Sequence, residues 1–354
     1  MDFAGLFKQH GWELLVVAAF TLILLPVFSL VVVIARFFIT QSVGIDASKI
    51  KKRHVLVVGA SQGLGKEVAI QVARLGASRV TMVARGTDRD GSGKSRLDYA
   101  VEECKAQCSS EVMVDLVKMD VRTPDSVSQT LESIVQQHGM VDWLVVCSGS
   151  ANPLLILDNE LHGHSNEKAM MDVNFFGTVN VIRGILAIGS KMSPPSYPER
   201  LVTVGSVALG CPMAGFAAYG ASKGALRAFT DVLRNERFFY GNIQVHHFMP
   251  SSMDTPGFEE ENRNKPEVTK LIEGTADLYS ASQAAAALLQ GITNETYLIN
   301  NDPIGVLARL NIQNLTPRDW PLVEAMASPA AVVIGEILLR HFDGISRKCS
   351  RKSQ

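Results

Sequence analysis

The sequence predicts an α/β protein, a doubly wound parallel sheet preceded by an N-terminal transmembrane helix, and three observations carry the prediction. Short β-branched runs alternate with segments of helical period over residues 54–299, the pattern of parallel strands joined by crossover helices. A glycine cluster, Gly59-Ala-Ser-Gln-Gly63-Leu-Gly65, falls where the first of those runs gives way to a helical period. Ahead of both, no charge interrupts residues 14–35.

The uncharged run comes first in the chain. At 1.5 Å per residue it reaches about 33 Å, enough to cross a hydrocarbon core of about 30 Å. A cleaved signal peptide would have a shorter apolar core and a small-residue cleavage site, and neither is found. Pro26 is expected to kink this helix without preventing insertion. Lys8 precedes the run, whereas Arg36, Lys49, Lys51, Lys52 and Arg53 follow it, so the positive-inside rule places the rest of the chain in the cytosol. With 34 basic and 35 acidic residues, nothing favours a nucleic-acid partner or a strongly charged substrate. The five cysteines are scattered. Cys104 and Cys108 share a helical face without a matching His/Cys set, so no metal site is expected and a reducing compartment is favoured.

His54-Val-Leu-Val-Val58 reads as a buried parallel strand, and residues 66–75 read as a helix with Val68, Ala69, Val72 and Leu75 on one face. The three glycines between them occupy the context a dinucleotide fingerprint requires, with the helix N-terminus facing a pyrophosphate. Their spacing, G-x-x-x-G-x-G, departs from the commoner G-x-G-x-x-G. The second strand, 80–84, ends in Arg85 where an NAD-preferring protein usually carries Asp or Glu. A guanidinium there suits the 2′-phosphate of NADPH, with Ser61 and Arg89 as possible helpers. Further strands are expected over 114–119, 143–147, 200–204, 244–249 and 297–299. Residues 86–96 read as a mobile polar loop and 193–198, with three prolines, as a connection.

Tyr219-Gly-Ala-Ser-Lys223 carries the chemistry. Residues four apart share a helical face, so the Lys223 ammonium can sit beneath the Tyr219 phenol and favour its ionised form, making an acid–base usable at neutral pH. Ser206, at the end of a neighbouring strand, would hold the same substrate oxygen that Tyr219 protonates. Together with the glycine turn this points to carbonyl reduction with a nicotinamide cofactor.

In the order and spacing of these residues the chain resembles the short-chain dehydrogenase/reductase superfamily over roughly 52–300. The resemblance implies a Rossmann-like sheet, and a catalytic set of Asn174, Ser206, Tyr219 and Lys223 in which Asn174, from Asp172-Val-Asn174-Phe, serves a proton relay. It implies NADPH held by Gly59, Ser61, Gly63, Leu64, Gly65, Arg85, Asp120, Val121, Gly149, Pro250 and Thr255, with Tyr219 and Lys223. Two positions depart from the family pattern: Val58 stands where many members carry threonine, and Val146-Cys147-Ser148-Gly149 replaces the usual Asn-Asn-Ala-Gly.

The segment Met249-Pro250-Ser-Ser-Met-Asp254-Thr255-Pro256-Gly257-Phe258-Glu-Glu-Glu-Asn262, followed by Lys265-Pro266-Glu267 and Thr269, is similar to the substrate-side loop of 3-ketodihydrosphingosine reductases, particularly fungal ones. That resemblance implies a long-chain sphingoid ketone as substrate, an endoplasmic reticulum membrane location with a single span, a nicotinamide contact from Thr255, and a lid over 254–279 whose Phe258, Leu271, Ile272 and Leu278 meet the alkyl chain. A retinoid, steroid or fatty-acyl ketone is compatible with the same catalytic residues, and a catalytically silent nucleotide-binding scaffold is the rival from another class. The domain reading is an anchor and linker over 1–50, a catalytic domain over 51–300 and an extension over 301–354. Within the extension, 330–339 carries the single charge Glu336 and is followed by Arg340, Arg347, Lys348, Arg351 and Lys352. It reads as too short to span a bilayer, and the sequence is equally compatible with a membrane-surface helix, a core helix or a homo-oligomer interface.

Overall fold

The computed structural model describes residues 11–13, 15–86, 93–161, 165–274, 278–312 and 316–352. Its strands are His54–Val58 (β1), Arg79–Ala84 (β2), Met113–Lys118 (β3), Trp143–Val146 (β4), Arg200–Val204 (β5), Gln244–Met249 (β6), Met253–Asp254 (β7), Tyr279–Ser280 (β8) and Leu298–Asn300 (β9). All but β7 and β8 form one parallel sheet in the order β3-β2-β1-β4-β5-β6-β9. In register, His54 lies opposite Arg79 and Val55 opposite Trp143. Every residue of β1, β4 and β5 is buried, which is why these strands read as mostly apolar, non-alternating runs: helices cover both faces.

Helices of the first half are Leu25–Ser42 (α1), Gly63–Arg74 (α2), Arg96–Ala106 (α3), Pro124–His138 (α4), Ile156–Leu161 (α5), Ser165–Met170 (α6) and Gly177–Lys191 (α7). Those of the second are Ala217–Glu236 (α8), Pro256–Arg263 (α9), Glu267–Glu273 (α10), Ala281–Thr293 (α11), Pro303–Ile312 (α12) and Pro321–Lys352 (α13). One face of the sheet is covered through Val68 and Val72 of α2, Leu97 and Val101 of α3, and Leu288 and Ile292 of α11. The other is covered through Val127 and Leu131 of α4, Ile182 and Ile185 of α7, and Leu233 of α8. Strand order reverses between β1 and β4, so the connections that leave their carboxyl ends run to opposite sides of the sheet and open a crevice above the paired strands, the place where sheets of this kind bind ligands.

Several boundaries differ from the sequence reading. Helix α2 begins at Gly63, not at residue 66, because the second and third glycines lie in its first turn. The 86–96 loop ends at a capping box: Ser95 accepts from the Asp98 amide while the Asp98 carboxylate accepts from the Ser95 amide, which starts α3 at Arg96. Residues 87–92, Arg89 among them, lie outside the described residues, as do Leu14 and positions 275–277 of the expected lid. At Pro26, which lacks an amide hydrogen, the preceding turn widens into a π-turn over Phe20–Leu24, one way a helix accommodates a proline.

The C-terminal reading is corrected outright. Residues 330–339 are the middle of a longer helix: Pro329 lies inside α13 and does not begin or end it. Both terminal helical runs, Gly11–Ser42 and Pro321–Arg351, are long and apolar enough to cross a membrane. They pack on each other and on α12, through Leu30 and Val33 of α1, Val306 and Leu310 of α12, and Ala327 and Ala331 of α13. The Arg36 guanidinium stacks 3.9 Å above the Trp320 ring just before α13 begins. A third run passing the same length and composition test, Ser165–Lys191, is a core element, since Val181, Ile182 and Ile185 pack beneath the sheet.

Candidate active site

A cleft of about 460 Å³ lies over the carboxyl ends of β1, β4, β5 and β6, within the usual range for a small-molecule site. Its floor is the glycine turn. Gly59 adopts φ +90°, and a side chain there would meet the Ser148 amide at 2.6 Å. At Gly65 an added Cβ would lie 2.3 Å from the Gly59 carbonyl oxygen, so only glycine lets α2 approach β1 this closely. The first amides of α2 have no partner within the helix and face the cleft beside Ser61, Gly63 and Leu64, which line it. This is an anion seat built from backbone.

The far wall carries charge. Arg85, exposed at the end of β2, and Asp120, after β3, both line the cleft. Asp120 is held by Arg122, whose Nε donates at 3.0 Å and Nη2 at 2.6 Å. Those hydrogen bonds, with the nearby Arg85 charge, keep the Asp120 carboxyl below its ordinary range. The sequence reading missed Arg96 and Gln62, which hydrogen-bond to each other at the cleft rim. The Ser95-x-x-Asp98 capping pattern was the signal that fixes Arg96 at a helix start. Val121 is buried, and its carbonyl accepts from Asn180 Nδ2 at 3.0 Å. Gly149 completes this side, since a Cβ there would lie 3.2 Å from Asn174 Oδ1 and 3.3 Å from Lys223 Nζ.

The expected catalytic residues converge on one point. Ser206, extended at the end of β5, caps a short turn by accepting from the Ala208 amide at 3.1 Å, and its hydroxyl is close enough to the Tyr219 phenol to favour the ionised form. Lys223, one turn after Tyr219 on α8, is buried, with Nζ donating to the Val204 carbonyl at 2.9 Å and lying 5.7 Å from the Tyr219 ring centroid. Asn174 sits in a π-turn, Met171–Phe176, a local widening frequent at functional sites. Its Oδ1 accepts from the Ser150 amide at 2.8 Å, and its Nδ2 donates to the Ser150 carbonyl at 3.0 Å and to Ser222 Oγ at 2.9 Å. Ser222 in turn donates to the Tyr219 carbonyl at 2.7 Å, so Asn174 ties the β4 loop to the tyrosine helix.

One expectation about this set changes. Burial pushes the Tyr219 phenol up to about 12, with the Ser206 hydroxyl pulling the other way and the Glu261 charge adding to the rise. Burial also pushes the Lys223 ammonium down to about 8. Lys223 therefore does not hold the phenol ionised in this geometry: desolvation outweighs it, and Tyr219 is a protonated donor through the neutral range. The Cys147 thiol shares this pocket and is pushed up to about 12 by burial.

The substrate-side wall begins at Pro250, whose carbonyl accepts from the Val207 amide at 3.1 Å. Thr255 caps α9 by accepting from the Phe258 amide at 3.1 Å, and its methyl lies across from Gly63. The lid segment is pinned at its base by the β7–β8 ladder, Met253 opposite Tyr279 and Asp254 opposite Ser280. Phe258 lines the cleft, and Leu271 and Leu278 are exposed; Ile272 is buried against the body and does not face the opening.

The profile of the short chain dehydrogenase family matches residues 53–266. Among characterised proteins, the chain is 30% identical over 303 residues to the PIGF/3-ketodihydrosphingosine reductase fusion protein of Schizosaccharomyces pombe, covering 85% of this chain and 58% of that longer protein. It is 30% identical to the 3-ketodihydrosphingosine reductase of Bos taurus, covering 84% of this chain and 86% of the relative, and 28% identical to that of Neurospora crassa, covering 90% of each. A short-chain dehydrogenase from Sphingobium yanoikuyae in complex with NADPH superposes with a TM-score of 0.56 at 20% identity, over 70% of this chain and 87% of that one. The sheet order, the glycine turn and the Ser206–Tyr219–Lys223 arrangement are therefore those of a family, and the chain belongs to the short chain dehydrogenases.

Proposed function

We propose that the protein is an NADPH-dependent reductase that converts 3-ketodihydrosphingosine to dihydrosphingosine (sphinganine). The observation that carries this is the convergence of Ser206, Tyr219 and buried Lys223 with a glycine turn in one cleft; the relatives named for this reaction supply the substrate. The glycine turn and the α2 N-terminus would hold the pyrophosphate, Arg85 the 2′-phosphate, and Lys223 the nicotinamide ribose, with Gly149, Val121 and Asp120 along the adenine side and Thr255 near the carboxamide. Bound there, the dinucleotide supplies the hydride.

The chain's own residues do the rest. Ser206 donates to the ketone oxygen and fixes its position, while Tyr219 delivers its phenolic proton to the same oxygen as the carbonyl carbon is reduced. A protonated phenol is the form this direction needs. Lys223 then stabilises the phenolate, and Asn174 keeps the Lys223 pocket in place from which the phenol is re-protonated. We further propose that the apolar N-terminal helix, read as a span over about 14–35, crosses the endoplasmic reticulum membrane with the catalytic domain on the cytosolic side, so that the lid meets a lipid ketone at the leaflet.

The cofactor assignment makes its own prediction. Arg85→Asp should weaken NADPH far more than NADH, since only the former carries the phosphate that a guanidinium would bind; equal losses in titrations with the two would count against it. For the substrate, NADPH oxidation by the purified protein in detergent should be turned over by 3-ketodihydrosphingosine. Turnover confined to steroid, retinoid or fatty-acyl ketones would overturn the assignment.

A further inference from the structure

We propose that Glu261, held at the cleft by Lys265, receives the ammonium of a 2-amino ketone and so selects substrates with an amine beside the carbonyl; this rests on the reductase reading above. The lid contains a buried ion triad. Lys265 has a fully buried side chain, and its Nζ lies 2.7 Å from Glu261 and 2.5 Å from Glu273. One cation is thus shared by two carboxylates, which leaves the triad with a net negative charge. Both carboxylates line the same cleft as Tyr219.

The triad is fixed next to the reacting centre through aromatic rings. Lys265 Nζ lies 4.7 Å from the Phe258 ring centroid and 5.6 Å from that of Phe216, and the Phe216 ring lies 5.6 Å from that of Tyr219. Phe216 immediately precedes α8, so the lid cation and the catalytic tyrosine both rest on one side chain. Glu261 is also close enough for its charge to act on the phenol. A carboxylate there would oppose an ordinary anionic or hydrophobic ketone, but it complements a ketone whose neighbouring carbon bears an ammonium. In 3-ketodihydrosphingosine the amine is on the carbon adjacent to the ketone, so an oxygen held at Ser206 and Tyr219 brings the ammonium to the Glu261 side.

Glu260 is a poorer candidate because it is exposed and paired with Arg263 at 3.1 Å. Glu273 shares Lys265 but lies on α10, one element further along the lid. The triad therefore divides into a substrate-facing acid, a buried cation, and a fastening acid. Steroid and simple acyl ketones present no cation, and the cleft has no use for its surplus negative charge with them.

The test compares kcat/KM for 3-ketodihydrosphingosine with that for the equal-length 3-ketone lacking the amine, in the full-length protein in detergent. Glu261→Gln should lower the amino-to-desamino ratio about tenfold or more, the expected loss of a charge-assisted contact. Glu273→Gln, which breaks the other Lys265 pair, should keep that ratio. If both variants lower activity on the two ketones alike, Glu261 only fastens the lid and the proposal is overturned. Wild-type protein that reduces the desamino ketone as well as the amino ketone overturns it too, whereas failure on every sphingoid ketone overturns the reductase reading instead. Should Glu261→Gln fail to fold, competition in the wild type decides: sphinganine should inhibit about tenfold more tightly than N-acetylsphinganine, and equal inhibition would refute the subsite.

Discussion

Replacing Tyr219 by phenylalanine is expected to lower kcat by about 10²- to 10⁴-fold, the range that a positioned acid contributes, while leaving the fold intact. The substitution removes one hydroxyl from a half-buried ring whose packing against Phe216 is unchanged. NADPH binding, followed by fluorescence, should persist, which separates lost chemistry from lost structure. The pH profile adds a second reading. Lys223 is an ammonium below about 8 and neutral above it, so wild-type reduction should decline as pH rises through about 8, when the cation that stabilises the phenolate is lost. Wild-type turnover from the phenylalanine variant would exclude Tyr219 as the proton donor.

Gly65→Ala is expected to have the largest structural effect. The added Cβ would lie 2.3 Å from the Gly59 carbonyl oxygen and 2.9 Å from its carbon, and backbone cannot rotate away as a flexible side chain can. Helix α2 must therefore shift off β1, at a cost of about 1–3 kcal/mol for a forced overpacking, and the amides that form the anion seat shift with it. Denaturant titration should show the lost stability, and NADPH affinity should fall by about tenfold or more. Gly224→Ala on α8 is the control, since nothing lies within 4 Å of its Cβ; it should be neutral or slightly stabilising, as glycine is the weaker helix former. Equal behaviour of the two variants would remove the close-approach argument.

What was legible in the sequence follows from how locally each feature is encoded. The strands His54–Val58, Arg200–Val204 and Gln244–Met249 fall where the sequence reading put them, because burial on both faces makes short runs rich in β-branched and apolar residues stand out even with a histidine, arginine or threonine among them. The catalytic residues were legible for a similar reason: the Tyr219–Lys223 spacing is a helical repeat, and Ser206 follows a strand end. Features that depend on chain segments far apart were not legible. Pairing of α1 with α13 joins the two ends of the chain, and residues 330–339, read as too short to span a bilayer, belong to a helix that runs through Pro329 from Pro321 to Lys352. The Tyr219 acidity went the same way, since residue spacing shows the lysine but not the degree of burial that outweighs it. Lys265 could be read only as a lid charge until Phe216, Phe258, Glu261 and Glu273 were seen to enclose it.

The docking of α1 alters what kind of attachment the N-terminus provides. The sequence suggested a span followed by a linker, yet α1 stays helical through Ser42, is buried at Leu30 and Val33, and is held near its end where Gln290 donates to the Thr40 carbonyl at 2.6 Å. One side of the helix, through Pro26, Ser29, Leu30 and Val33, is thus masonry of the body, with Leu30 and Val33 set against α12 and α13. A body mounted on such a stem has no slack: it cannot swivel or reach as it would on a flexible tether, and its cleft keeps one standing height and one compass bearing relative to the stem. On the proposed membrane reading, its search for substrate would be sideways drift in two dimensions, with the orientation of the encounter settled before the ketone arrives.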